Sequence, residues 1–144
     1  MHEIRTEIEI TATPERVWSI LIDFIAYPQW NPLIRSITGA VKTGERLTVF
    51  IQPAGGKGMT FRPAVLVALP DQELRWLGHF LLPGIFAGEH YFQIEPISPG
   101  RVRFIQGEKF SGILVALIKS SLEDGTKSGF IAMNRALKIQ AEAV

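Results

Sequence analysis

The stretch Ile113–Val144, ILVALIKSSLEDGTKSGFIAMNRALKIQAEAV, decides how the rest of the chain can fold. At about 100° per residue, Leu114, Ile118, Leu122, Gly125, Gly129, Ala132, Met133, Ala136, Leu137 and Ile139 share one broad face of a helix. Glu123, Asp124, Lys127, Asn134, Arg135 and Lys138 fall on the other. Gly125 and Gly129 sit within the apolar face, and each costs about 1 kcal/mol against Ala in a helix interior. Two readings account for that cost: the glycines admit a closely packed strand, or they leave free volume for a ligand beneath the helix. Both set a sheet against this helix, with Gly125 and Gly129 facing it.

The preceding residues supply such a sheet. Ile4, Thr6, Ile8 and Ile10 alternate with Arg5, Glu7, Glu9 and Thr11, the pattern of a half-buried strand. Thr13-Pro14-Glu15 then opens a helix, with Thr13 as cap, Pro14 at the first position and Glu15 complementing the dipole. Its apolar residues are Val17, Trp18, Leu21 and Ile22, and the proline-broken segment 23–32 predicts a second short helical turn and a bend. From Leu33 the period changes to two. Turn signals at Gly39, Thr43-Gly44, Pro53–Gly56, Pro70-Asp71, Pro83-Gly84 and Ser98-Pro99-Gly100 separate strands near 33–38, 46–52, 60–69, 73–79, 88–96 and 102–110. The expectation is a single α+β domain over residues 1–144. Seven antiparallel strands curve around the long C-terminal helix, with two short helices between strands 1 and 2.

Composition narrows the function. With 144 residues, one core can be buried without staples, and the absence of cysteine removes disulfides and thiolate chemistry together. A net charge of +1 with no basic run gives no footprint for nucleic acid. No stretch approaches the ~18 apolar residues of a membrane span, and the N-terminus has no signal-peptide core, so the chain reads as cytoplasmic.

The order of these elements resembles the helix-grip fold of START lipid-transfer domains and the SRPBCC superfamily, in its bacterial polyketide cyclase/dehydrase-like branch. The resemblance is carried by Ala12–Trp18, Tyr27–Pro32, Leu74–Gly78, Gly88–Phe92, Gly107–Gly112, and Gly129-Phe130 with Met133–Lys138. It spans nearly the whole chain. It implies a curved sheet gripping the terminal helix, and a cavity mouth bordered by the 80–87 loop and the turns around Tyr27 and Trp30. It is not specific for a reaction, since the superfamily holds carriers, receptors and cyclases.

Strand parity picks out the inward polar groups. His90 shares the parity of Phe92 and Ile94, while Gln106 and Glu108 share that of Val102, Phe104 and Phe110. A hairpin closed at Ser98-Pro99-Gly100 sets His90 opposite Glu108 and Phe92 opposite Gln106, with Trp76 beside His90 across the next hairpin. Such a pair has three readings: a satisfied structural contact, a polar anchor for a ligand, or an acid and base acting on a carbonyl compound. Arg62, just before Pro63, is either a solvated edge residue or, by pairing through the Pro70 turn, an inward group for an anionic head.

No cofactor is expected. The three histidines are scattered over two strands and a tail, which rejects a metal site, and Gly55-Gly56-Lys57-Gly58 opens no helix and reads as a hairpin turn. The loop 80–87, with Leu82, Ile85 and Phe86, is apolar enough to be a lid, a homodimer contact or a patch folded onto the sheet.

The expected function is therefore binding of a hydrophobic small molecule between sheet and helix. Its walls would be Trp18, Phe24, Tyr27, Trp30, Trp76, Phe92, Phe104, Leu122, Gly125, Gly129, Phe130 and Met133, with His90, Gln106, Glu108 and Arg62 as polar groups. The alternatives are a cyclase/dehydrase-type enzyme using His90 and Glu108, and a protein-interaction module acting through the 80–87 loop.

Overall fold

The computed structural model describes residues 1–80 and 84–143; the side chains of residues 119–122 lie outside the description. The first strand, β1 (His2–Ile10), buries Ile4, Thr6 and Ile10 on one side, as its alternation predicts. The helix α1 (Pro14–Leu21) starts where Thr13 Oγ1 accepts from the Arg16 N–H at 3.1 Å, and it turns Val17, Trp18 and Leu21 into the core. A 3-10 turn (Phe24–Ala26) and the four-residue α2 (Tyr27–Trp30) follow, as expected from the two prolines.

Among the described residues eight strands form in place of the expected seven. The continuous strand expected over 60–69 is two: β4 (Met59–Phe61) closes a three-stranded sheet with β2 (Ile34–Thr38) and β3 (Thr48–Ile51), and β5 (Ala64–Leu69) is the edge of a five-stranded one. The break falls at Arg62-Pro63 because proline has no N–H for a ladder. The sheets stay joined there through an Arg46–Ala64 bridge and a Leu47 N–H to Pro63 C=O hydrogen bond of 2.9 Å.

The larger sheet runs in the order β1, β8 (Arg101–Ser111), β7 (Phe86–Ser98), β6 (Glu73–Phe80), β5, antiparallel throughout. Its central hairpin has the predicted register. His90 faces Glu108, Phe92 faces Gln106, and Trp76 faces His90 from β6. One irregularity, between Pro96 and Ser98, lies next to the turn and leaves that pairing intact.

The terminal helix α3 (Val115–Glu142) packs chiefly on β1, with α1 and β8 as its other main neighbours. Over its C-terminal half the buried stripe is Gly129, Phe130, Met133, Asn134, Leu137 and Ala141, which is rotated from the expected face. Asn134, assigned to the polar side, is buried, whereas Ala132 and Ile139 are exposed. Counting apolar residues widened the face beyond what the sheet covers; the stripe is centred instead on Phe130, Met133 and Leu137. Gly125 does not face the sheet. It is exposed, and a Cβ there would meet nothing within 4 Å. Gly129 is a packing glycine, but its neighbour is Leu33 ahead of β2, whose Cδ1 would lie 2.8 Å from an added Cβ.

These two environments predict opposite responses. Gly125→Ala should raise stability by about 0.5–1 kcal/mol through helix propensity alone. At Gly129 the same change forces Leu33 aside, so its gain should be smaller or reversed. Urea midpoints of the two variants check this, and equal shifts would contradict it.

Candidate functional site

Inward residues of β7 and β8 build a polar centre in an aromatic setting. His90, 1% exposed, has both ring nitrogens engaged: Nδ1 with Glu108 Oε1 at 3.1 Å and Nε2 with Gln106 Oε1 at 2.9 Å. The network continues from Gln106 Nε2 to Asn134 Oδ1 (2.7 Å), from Asn134 Nδ2 to Thr6 Oγ1 (2.8 Å), and from Thr6 Oγ1 to the Gln106 carbonyl (2.8 Å). Four elements, β1, β7, β8 and α3, thus meet in one chain of buried hydrogen bonds, which is costly to leave half-made.

Aromatic rings enclose it. Trp76 stacks on His90 with ring centroids 5.3 Å apart, and Phe92 and Phe130 lie 4.7 and 4.9 Å from the same imidazole. Glu108 reaches the edge of this centre, its side chain 13% exposed. Its second oxygen, Oε2, lies over Gly88, where a Cβ would collide with it, and the Phe80 ring borders the same point. Oε2 has no hydrogen-bond partner among the described residues. Phe80 belongs to an aromatic run, Phe61, Phe80, Phe86 and Phe110, with successive centroids 4.7, 5.0 and 5.6 Å apart.

The structure brings together most of the residues singled out in the sequence. Trp18, Phe24, Tyr27, Trp76, Phe92, Phe104, Phe130 and Met133 all belong to one buried cluster with His90 and Gln106 among them. Tyr27 is wholly buried and its hydroxyl donates to the Leu21 carbonyl; burial, then nearby Asp23, pushes that phenol far above its ordinary range. Trp30 is half-buried, edge-on to Tyr27 at 5.2 Å, and its indole Nε1 has no partner among the described residues.

Others are not brought there. Arg62 is exposed, with its carbonyl accepting from Arg46 Nη1 at 2.8 Å, so the solvated-edge reading applies. The inward parity failed because the strand breaks at Pro63 and β5 carries an irregularity between Val65 and Val67. Gly125 is exposed, as described above. Phe86 is no lid residue: it starts β7 and stacks on Phe110 inside the core. Ile85 is half-buried beside the start of α3, its carbonyl accepting from the Leu114 N–H at 3.1 Å. Leu82 and the Leu122 side chain lie outside the described residues.

Sequence reasoning missed Asn134, Gly88, and the Phe61–Phe80 contact. For Asn134 the signal was its spacing: it stands four residues after Phe130 and three before Leu137, inside the true stripe. An open groove of about 580 Å³ lies elsewhere, against Glu15, Asp71, Glu73 and Glu95, and its carboxylates suit no apolar ligand.

No helix among the described residues is long and apolar enough to cross a membrane. No curated protein matches the sequence. The fold is shared with a START superfamily protein from Mycobacterium smegmatis, 21% identical, with TM-score 0.75 over 99% of this chain and 98% of that one. It is also shared with the Zhui aromatase/cyclase from Streptomyces sp. R1128, 14% identical, with TM-score 0.78 over 98% of this chain and 93% of that one. Residues 1–137 match the family model described as polyketide cyclase / dehydrase and lipid transport, and the chain belongs to that family, as its helix-grip order of elements implied.

Proposed function

We propose that this chain binds a hydrophobic small molecule between the five-stranded sheet and α3, at the end of the sheet where Glu108 meets the aromatic run. The observation that carries the reading is Glu108 itself. A carboxyl group with one oxygen fixed by a buried imidazole and the other without a partner among the described residues, beside the Phe80 ring, is what an apolar site with a single polar anchor would present. The helix supports the same location. Its C-terminal half is sealed by Gly129, Phe130, Met133, Leu137 and Ala141, whereas Asp124, Gly125, Lys127 and Ser128 are exposed.

The enzymatic reading has less support. With both nitrogens engaged and the ring covered, His90 has no free atom for a substrate, so acid–base work would fall to Glu108. Native mass spectrometry of the purified protein, followed by solvent extraction, tests the binding reading. An apolar adduct that is retained by the wild type and lost in Glu108→Leu and Phe80→Ser is the expected result. An adduct-free protein that also takes up no added apolar compound would contradict it.

A further inference from the structure

The hydrogen bonds ending at Glu108 have a direction, set by two backbone carbonyls that can only accept. Thr6 Oγ1 donates its one proton to the Gln106 carbonyl at 2.8 Å, so it must accept from Asn134 Nδ2, 2.8 Å away. The same amide then offers Oδ1 to Gln106 Nε2 at 2.7 Å. That nitrogen also points at the Phe130 carbonyl, 3.5 Å away, which holds the Gln106 amide in the same orientation. Gln106 is left with Oε1 toward His90, so His90 Nε2 carries a proton. Turning any member around would set lone pair against lone pair inside the core.

One proton then remains for the contact between His90 Nδ1 and Glu108 Oε1. On Nδ1 it makes an imidazolium beside a carboxylate. On Oε1 it makes a carboxylic acid beside a neutral imidazole. In both arrangements Glu108 Oε2 presents lone pairs only.

We propose that the site selects apolar ligands that carry a neutral hydrogen-bond donor, a hydroxyl or phenol, and disfavours those whose polar group only accepts. The inference rests on the hydrophobic-ligand reading above and deepens it. A donor completes this oxygen, which has no partner among the described residues, while a carbonyl or ether oxygen meets it lone pair against lone pair. With Glu108 as the carboxylate, a hydrogen bond to that oxygen corresponds to roughly a ten- to hundredfold preference.

Equilibrium dialysis with naphthalene, 2-naphthol and 2-methoxynaphthalene separates the cases on one aromatic frame. The expected order is 2-naphthol at least about tenfold tighter than naphthalene, with 2-methoxynaphthalene no tighter than naphthalene. In Glu108→Leu the three should converge. Glu108→Gln should keep the order, because its amide nitrogen can donate to His90 Nδ1 and leave its oxygen at the free position. It also guards against a leucine variant that fails to fold, which circular dichroism would reveal. Equal binding of all three by the wild type, a preference for 2-methoxynaphthalene, or loss of the order in Glu108→Gln would overturn the proposal while leaving the binding reading standing. Binding of none of them would overturn both.

Discussion

Gln106→Leu is expected to lower stability by about 2–5 kcal/mol, although it keeps the side chain's approximate volume and adds apolar character. Gln106 is fully buried and stands at the middle of the network, accepting from His90 and donating to Asn134. Its loss leaves His90 Nε2–H and Asn134 Oδ1 without partners in a region closed to water, and each orphaned group costs about 1–3 kcal/mol. Thr6→Val, which leaves the His90–Gln106 and Gln106–Asn134 bonds in place, should cost less. Urea unfolding with an unchanged slope measures both. A Gln106→Leu protein as stable as the wild type would mean that the polar chain does not hold α3 to the sheet.

The second large effect is expected on the outer face. Gly107→Ala should cost about 3 kcal/mol, since the new Cβ would enter the Tyr91 ring and lie 2.7 Å from the Ile4 carbonyl of β1. Neither neighbour can yield easily. Tyr91 is held by its hydroxyl on Glu3 Oε2 at 2.6 Å and by the Arg75 guanidinium 4.7 Å above the ring, and Ile4 is paired in the ladder opposite Glu108. Burial and the hydrogen bond to Glu3 push the Tyr91 phenol well above its ordinary range, so it remains a donor. Adding Tyr91→Ala to Gly107→Ala should cost less than the sum of the single changes, because the ring is one source of the clash. Strict additivity would show that the collision with β1 alone decides the effect.

What could be read in the sequence divides along physical lines. The β7–β8 register was legible because two long alternating strands meet at a short Pro-Gly turn, and period two leaves one choice of inward set. The His90–Glu108 and His90–Trp76 neighbours follow from that arithmetic. The helix face was not, since an apolar count cannot see that Asn134 is buried by satisfying Thr6 and Gln106, nor that Ile139 lies outside the groove. Arg62 was misplaced because parity assumes an unbroken strand, and Pro63 sends the chain from one sheet to the other. Phe86 was misplaced for a related reason: the chain rejoins the sheet immediately after the Gly84-Ile85 turn, so an apolar loop residue becomes a core strand residue.

The direction of the buried network depends on a proton fixed at one nitrogen of His90. Long-range proton–nitrogen NMR correlation of the His90 ring reads its tautomer directly in the intact protein. The prediction is a bound proton on Nε2, whether the ring is neutral or an imidazolium, with slow exchange because Gln106 covers it. A neutral ring protonated at Nδ1 alone would reverse the hydrogen bonds back to Thr6 and would contradict the direction drawn from Thr6 to Glu108.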